Sequence, residues 1–330
     1  MREFGYERAV DVADAVARCG ADPDARFLGG GTNLVDLMRS GVERPASLVD
    51  VCRLPLDDIE VTSGGGLRIG ATVTNSDLAA HPEVRRRCPA LAQAVLAGAS
   101  GQLRNMATVG GNLLQRTRCG YFTDVSAPCN RRSPGSGCPA IGGEHRNHAI
   151  LGASEHCVAT HPSDMAVALA AFDAVVSYET TDGAGELPIT ELYLPVGDTP
   201  HAETALPHGA LITGVTLPPG RPAARSRYRK VRERASFAFA IGSVAAGLDV
   251  RDGLVHDVRL AFGAVASRPW RARSAERTLL GGPVGPGAFA AAADAELAAA
   301  EPLPHNTYKV ALVRNLVVAV LTELAEEAVR

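Results

Sequence analysis

The sequence predicts an α+β protein of two domains, and three observations support that prediction. With 330 residues, the chain exceeds the usual size of one domain and has ample apolar material for a core. The last third shows antiparallel strand patterns followed by helical patterns, which is the order expected of a sheet covered by helices. Proline and glycine cluster at residues 218–222, which indicates a boundary there. We expect a larger domain over residues 1–222 and a smaller one over residues 223–330.

Charge and hydropathy exclude two classes of protein. A formal net charge of -3 argues against a general nucleic-acid binder, which needs a clustered excess of Lys and Arg. We expect no membrane insertion, because the apolar run at 310–321 is short and contains Arg314 and Asn315. The first residues include no apolar signal segment, so we expect a cytoplasmic protein. The alternative is export of the folded chain with a partner that carries a signal.

The first elements in chain order are a helix at residues 7–19, ended by Gly20, and a strand that runs into three glycines and a helix at 26–38. Successive glycines let backbone N–H groups converge on an anion. The spacing is not the dinucleotide fingerprint, so this loop alone is better explained as an ordinary turn. The first glycine loop consists of Phe27, Leu28, Gly29, Gly30, Gly31, Thr32, Asn33 and Leu34.

A second glycine loop changes that interpretation. Strands are predicted at residues 46–51 and 67–72, a helix capped by residues 75–77, and a further helix at 90–99. The second glycine loop then follows, and it consists of Thr108, Val109, Gly110, Gly111 and Asn112. Two such loops, about eighty residues apart, are what a pyrophosphate held from both sides requires.

Four of the seven cysteines lie within about forty residues: Cys119, Cys129, Cys138 and Cys157. In a chain without a signal peptide, such a cluster is more often a metal site than a disulfide framework. The spacings of nine, eight and eighteen intervening residues resemble neither ferredoxin nor structural zinc motifs. Spacing alone therefore leaves iron, zinc, disulfides and free thiols open.

The remaining patterns complete both domains. A helix is predicted at residues 165–173, a strand at 174–178 with a hairpin turn at 182–183, and a further segment at 209–217. The second domain is predicted to contain strands at 226–231, 240–250 and 255–264, then helices at 273–280, 288–300 and 307–329. No residue of the second domain shows a pattern that carries chemistry.

The chain resembles the FAD-binding (medium) subunit of the xanthine dehydrogenase family of molybdenum hydroxylases. The resemblance is carried by the two glycine loops, which read Phe27-Leu-Gly-Gly-Gly-Thr-Asn33 and Arg104-Asn-Met-Ala-Thr-Val-Gly-Gly-Asn112. The resemblance extends through residues 161–165, 214–218, 228–235 and 262–266, so it covers essentially the whole chain. It is greatest to the FAD and [4Fe-4S] subunits of bacterial aldehyde oxidoreductases, whose cysteine insertion corresponds to about 115–160 here. The implied fold is a two-lobed FAD-binding domain of the PCMH and vanillyl-alcohol-oxidase type, followed by a CO-dehydrogenase-flavoprotein-like domain.

The resemblance also implies roles for single residues. The first loop would line the pyrophosphate and adenosine end of FAD, and the second loop would close over it. Asp164 would hydrogen-bond the ribityl or phosphate-proximal part, and Ile212 would pack on the isoalloxazine. Lys230 would approach the flavin ring, where a cation stabilises the reduced form. Arg229 is the alternative for that role, and a surface strand position is the alternative for Lys230.

The resemblance further implies that Cys119, Cys129, Cys138 and Cys157 bind a [4Fe-4S] cluster, because a loop beside a flavin has an electron-transfer use for iron. A large subunit with molybdopterin would oxidise the substrate, and a small subunit with two [2Fe-2S] clusters would relay electrons. This chain would then pass them to an external acceptor and would need no catalytic acid or base. The alternatives are a self-contained flavin oxidase and a zinc-stabilised scaffold without a redox role.

Overall fold

The computed structural model describes residues 1–329, which form three β-sheets and the helices that pack on them. The predicted α+β class is confirmed. The strands are β1 (Gly5–Arg8), β2 (Ala25–Leu28), β3 (Ser47–Asp50), β4 (Ile59–Val61), β5 (Leu67–Gly70), β6 (Val175–Thr180), β7 (Gly183–Pro188), β8 (Leu211–Leu217), β9 (Ser226–Val231), β10 (Gly242–Arg251), β11 (Leu254–Gly263) and β12 (Trp270–Arg271).

The helices range from single turns to a last helix of 22 residues. They are α1 (Val12–Ala21), α2 (Leu34–Arg39), α3 (Asn75–Ala80), α4 (Pro82–Arg87), α5 (Pro89–Ala97), α6 (Gly101–Arg104), α7 (Val109–Leu113), α8 (Gly120–Thr123), α9 (Asp164–Ala171), α10 (Ile189–Leu192), α11 (Arg221–Ala224), α12 (Arg273–Leu279), α13 (Pro286–Leu297) and α14 (Tyr308–Val329). Within residues 1–329, none of them combines the length and the hydropathy of a membrane-crossing helix.

The first sheet is parallel, with strand order β1-β3-β2, and it carries the first glycine loop at the end of β2. The helix predicted from residue 7 is wrong at its start, because Gly5–Arg8 pairs with β3 and the helix begins at Val12. Asp11 caps that helix by accepting a hydrogen bond from the Asp14 N–H. Sheet pairing therefore prevails over helical periodicity at residues 7 and 8.

The second sheet is antiparallel, with strand order β4-β5-β8-β6-β7, and its inner face forms the largest core with α5 and α9. Helix α9 is buried on all sides, which explains why nearly all of its residues are apolar. Its N-cap is Ser163, so the first helical residue, Asp164, is fixed at the edge of this core. The predicted cap of α3 shifts by one residue, since Thr74 accepts the hydrogen bond from the Asp77 N–H.

The third sheet, with strand order β12-β11-β10-β9, is covered on both faces. Val244 and Ala246 of β10 face the core formed with α12, α13 and α14, whereas Ala245 between them faces the core that contains α5 and α9. The strand is therefore buried almost continuously. The helices that follow the sheet cover one face, and α5 and α9 of the preceding part cover the other.

Candidate functional site

The first glycine loop presents a row of free backbone donors. Among residues 1–329, no backbone carbonyl accepts a hydrogen bond from the N–H groups of residues 29–33. Gly31 has a φ of +73°, a left-handed conformation that favours glycine. A Cβ atom on Gly30 would lie 1.6 Å from the Met106 carbonyl oxygen, so only glycine fits there. The loop can therefore surround an anionic group with several N–H donors.

The second glycine loop contacts the first, but its own N–H groups donate to carbonyls of the protein. A Cβ atom on Gly29 would lie 2.9 Å from the Thr108 Oγ1 atom. The N–H of Gly110 donates to the Ala71 carbonyl at 2.8 Å, and that of Val109 donates to the Val73 carbonyl at 3.0 Å. Both loops were expected to offer backbone N–H groups to the pyrophosphate, but only the first loop has them free. The second loop, coiled into α7, offers side chains instead.

Two cavities meet at the first glycine loop. A cavity of about 270 Å³ is lined by Phe27, Gly29, Gly30, Leu34, Thr108, Gly110 and Ile212. A second cavity of about 500 Å³ is lined by Asn112, Asp164 and Lys230. Both cavities share Gly31, Thr32, Asn33 and Gly111, so together they form one elongated site along the loop. Ile212 and Lys230 consequently line different cavities, on either side of the loop.

Two of the predicted residues line neither cavity. Leu28 ends β2, and Val109 is 1% exposed within the largest core. Both act by holding the backbone of their loops in place. Asn33 has a buried side-chain nitrogen, Nδ2, without a hydrogen-bond partner among residues 1–329. Asn33 lines both cavities, so this donor is left for an acceptor outside the described residues.

Lys230 lines the larger cavity as half of a buried ion pair. Its Nζ atom lies 2.7 Å from the Asp164 Oδ2 atom and 3.2 Å from the Ala97 carbonyl oxygen. Tyr228 donates its hydroxyl hydrogen to the Asp164 Oδ1 atom. Arg229, the alternative for the same role, points away and pairs with Glu323. The register of β9 therefore places Lys230, not Arg229, at the cavity.

The four clustered cysteines all carry free thiols, so disulfides are excluded among them. Cys119 packs against the two small apolar clusters that contain Cys129 and Cys157, and Cys138 lies beside Cys157. The Sγ atom of Cys119 also lies 3.2 Å from the His148 Nε2 atom. The irregular segment between α7 and α9 thus brings the predicted quartet into one neighbourhood.

The pKa values within the quartet favour the thiolate form at Cys157. The neighbouring Cys138 thiol and the adjacent Arg131 guanidinium lower the pKa of Cys157, whereas the proximity of Cys157 raises the pKa of Cys138. Arg131 donates through Nε to the Cys157 Sγ atom at 3.3 Å. Among residues 1–329, no three His, Cys, Asp or Glu side chains stand close enough together to hold a metal ion. The quartet therefore is not the preassembled site of a single zinc ion.

A buried ionic network links the cysteines to the first glycine loop. Arg131 pairs with Glu203 at 2.8 Å, and the Arg116 Nε atom also donates to Glu203 at 2.8 Å. The backbone N–H of Arg116 donates to the Asn33 Oδ1 atom at 3.0 Å. Sequence analysis missed Glu203, which no motif marks, because it follows these residues by about seventy positions or more.

Comparison with known families gives two matches that follow each other along the chain. Residues 2–220 match the family described as the FAD binding domain in molybdopterin dehydrogenase. Residues 226–324 match the CO dehydrogenase flavoprotein C-terminal domain. Together the matches include both glycine loops, the cysteines and Lys230.

Three similar proteins agree with these matches. The chain is 50% identical over 329 residues to the aldehyde oxidoreductase FAD-binding subunit PaoB of Escherichia coli (strain K12), covering 99% of this chain and 100% of the relative. It is 27% identical to the putative xanthine dehydrogenase FAD-binding subunit XdhB of the same organism, covering 84% and 80%. A chain of the solved carbon monoxide dehydrogenase from Hydrogenophaga pseudoflava matches with a TM-score of 0.76 and 26% identity, covering 97% and 96%.

Proposed function

The chain belongs to the family of FAD-binding subunits of molybdenum hydroxylases, and we propose on that premise that it is the flavin and iron–sulphur electron-transfer subunit of an aldehyde oxidoreductase. Family membership makes it a subunit of an oxidoreductase. The aldehyde substrate class is supported by the 50% identity to PaoB over the whole chain. The observation that carries the FAD site is the row of unpartnered N–H groups at residues 29–33, on the wall of an elongated cavity.

The residues present fit FAD. We assign the pyrophosphate to the N–H groups of residues 29–33 and to the Asn33 Nδ2 donor, which has no other partner among residues 1–329. The larger cavity with Lys230 suits the isoalloxazine, because a buried ammonium group favours the reduced, anionic form of a flavin. Ile212, expected to pack on the isoalloxazine, lines the smaller cavity instead, so this proposal assigns it to the adenine end. Bound FAD supplies the ability to accept and release electrons.

The cysteine quartet fits a [4Fe-4S] cluster better than zinc. Four free thiols lie in one irregular segment, and Arg131 already donates an N–H hydrogen bond to one sulphur, as is typical of iron–sulphur sites. Each thiolate of such a cluster binds a different iron, so the sulphurs need not surround one point. A [4Fe-4S] cluster is therefore compatible with four sulphurs that are not arranged around a single ion.

The chain's partners follow from the same proposal. A large subunit with molybdopterin would oxidise the aldehyde, a small subunit with [2Fe-2S] clusters would relay the electrons, and this chain would deliver them to an external acceptor. The names of PaoB, XdhB and the carbon monoxide dehydrogenase support a place in a heteromeric complex of that kind. A cytoplasmic location, with co-export as its alternative, stays a prediction.

The proposal is tested by purifying the chain alone and together with its co-purifying subunits. We expect one FAD and four irons per chain, and aldehyde oxidation only by the complex. The visible spectrum should show flavin bands and a broad shoulder that dithionite bleaches. Substrate turnover by the single chain would instead support the self-contained oxidase, and a colourless protein containing zinc would support the scaffold.

A further inference from the structure

The chain has only two lysines among its 33 basic residues, and both are buried. Lys230 lies in the proposed FAD cavity, with 3% of its side chain exposed. Lys309, near the start of α14, has an exposed fraction of 0%. Lysine is ordinarily a surface residue, and a buried one needs a partner of opposite charge. Lys230 has Asp164, but the partner of Lys309 is not apparent from the side chains around it.

Within residues 1–329, the hydrogen-bond partners of the Lys309 ammonium group are all neutral. Its Nζ atom donates to the carbonyl oxygens of Asn147 at 3.3 Å, His148 at 2.9 Å and Ala264 at 2.5 Å. None of the ion pairs among residues 1–329 includes it, and burial alone lowers its pKa to about 7. A compact ammonium inside a cage of carbonyls is stable as a cation when a negative charge lies nearby.

Two of these three carbonyls, those of Asn147 and His148, belong to the cysteine segment, the irregular stretch between α7 and α9. His148, whose carbonyl accepts from Lys309, also places its Nε2 atom 3.2 Å from the Cys119 Sγ atom. The next residue, Ala149, donates its N–H to the Val158 carbonyl at 2.8 Å, directly beside Cys157. Lys309 is thus one residue removed from Cys119, through His148, and the segment that it contacts continues through Ala149 to the neighbour of Cys157.

The residues just before Lys309 fix the same segment. Asn306 donates through Nδ2 to the Ala149 carbonyl at 3.1 Å, and the His305 N–H donates to the His145 Nε2 atom at 3.1 Å. The imidazole rings of His145 and His305 stack with centroids 4.6 Å apart. These contacts would hold the segment in place even without a charge at Lys309. Attachment of the segment to α14 therefore does not explain why a cation is buried there.

We propose that Lys309 is a second buried counter-charge, beside Arg131, of the iron–sulphur cluster held by the cysteine quartet, and that it raises the reduction potential of that cluster. The inference rests on the proposed [4Fe-4S] site. A cluster with four thiolate ligands is negatively charged and gains one further negative charge on reduction. A desolvated ammonium group nearby favours the reduced state of the cluster. The negative charge of the cluster in turn stabilises the buried ammonium group. Lys309 is a positioning residue and touches no substrate.

The decisive variants change the charge and the shape of the side chain separately. Lys309→Gln keeps a hydrogen-bond donor but removes the charge, whereas Lys309→Arg keeps the charge. Arg314→Gln is the matched control, since Arg314 lies on the same helix but is solvent-exposed and paired with Asp294. In the holo complex, we expect Lys309→Gln to lower the ratio of reduced to oxidised cluster at a fixed potential about tenfold, which equals about 59 mV for a one-electron couple. The ratio is read by electron paramagnetic resonance during a potentiometric titration, and both other variants should match the parent.

A second measurement needs no variant. Since the chain has two lysines, ¹⁵N-lysine labelling gives two Nζ resonances, and only that of Lys309 should titrate differently after iron is removed with a chelator. We expect the pKa of Lys309 to be at least one unit higher in the iron-loaded protein. His145 and His148 are the titratable groups that face it, and their signals are not labelled.

The outcomes separate this inference from the proposed function. If the parent protein binds no iron, the [4Fe-4S] proposal fails, and this inference fails with it. If iron is present at four per chain but the potential of Lys309→Gln and the pKa of Lys309 are both unchanged, only the counter-charge role is overturned. In that case Lys309 is a clamp between α14 and the cysteine segment.

Discussion

Lys230 Nζ and Asp164 Oδ2 lie 2.7 Å apart in the wall of the larger cavity, and this contact joins β9 to the first residue of α9. Their side chains are 3% and 9% exposed, so water screens the pair very little. The contact also crosses from one family match to the other, at residues 2–220 and 226–324. The cation proposed to act on the flavin is therefore held in place before any flavin binds.

Lys230→Met should destabilise the protein strongly, because it leaves the buried Asp164 carboxylate without its counter-charge. Removal of one partner of a buried ion pair typically costs about 3–5 kcal/mol. We expect a loss of about 3 kcal/mol in the free energy of unfolding of the FAD-free chain, measured by urea denaturation. The Tyr228 hydroxyl still donates to Asp164, which limits the loss.

The double variant Asp164→Asn/Lys230→Met is the control for this explanation. With both charges removed, much of the lost stability should return, and the coupling energy from the double-mutant cycle should exceed 1 kcal/mol. Additive effects of the two single substitutions would contradict a direct interaction between these side chains.

Gly30→Ala should abolish FAD binding while the remainder of the chain stays folded. The new methyl group would overlap the Met106 carbonyl oxygen, 1.6 Å away, and force the two glycine loops apart. Gly64→Ala is a suitable control, since a Cβ atom there meets nothing within 4 Å and the backbone has no left-handed φ. FAD content per chain, measured by absorbance after denaturation, should fall at least tenfold for Gly30→Ala only. Equal content in both variants would contradict the placement of the pyrophosphate.

The two glycine loops show how far a sequence can predict this site. Both loops and their pairing could be inferred from residue types, because successive glycines restrict the local backbone to a few uses. The role of the second loop could not, since its N–H groups are consumed by the carbonyls of Ala71 and Val73, which precede it by more than thirty residues. Strand order and loop packing decide which donors stay free, and these depend on contacts that local patterns do not show.

The partners of the cysteine segment illustrate the same limit. The four thiols were evident from their clustering, but Lys309 approaches His148 from 161 positions further along the chain. Helical periodicity placed Lys309 correctly in a C-terminal helix, and nothing in that period distinguishes a buried lysine from a solvated one. The scarcity of lysine in an arginine-rich chain was a usable signal.

Cys138→Ser should lose iron and keep FAD. Cys138 lies beside Cys157 within the quartet and lines neither of the two FAD cavities. Cys52→Ser provides the matched control, because Cys52 is an exposed thiol beside the Leu28 carbonyl and outside the quartet. Iron and flavin contents per chain are the measurements. A Cys138→Ser protein with its full iron content would remove Cys138 from the ligand set.

His161 should make the stability of the FAD-free chain sensitive to mild acid. Its Nδ1 atom accepts a hydrogen bond from the Ser163 N–H at 3.3 Å, and its ring contacts that of Tyr193 at 4.4 Å. Burial, with a smaller effect from Arg131, lowers the pKa of His161 from 6.5 to about 3. The unfolded chain therefore binds a proton below pH 6.5 that the folded chain refuses, and stability is lost as the pH falls toward 3. By pH 5 the loss should reach about 2 kcal/mol.

His161→Phe keeps an aromatic ring against Tyr193 but removes the titrating group, so it should lose about 2 kcal/mol less than the parent between pH 8 and pH 5. The measurement is the free energy of unfolding in urea at several pH values, on protein freed of FAD and iron. His201→Phe, at an exposed position, should follow the parent curve. Parallel curves for the parent and His161→Phe would mean that the imidazole is protonated in the folded chain. The buried Nε2 atom, which has no partner among residues 1–329, would then have to find an acceptor that the present arrangement does not offer.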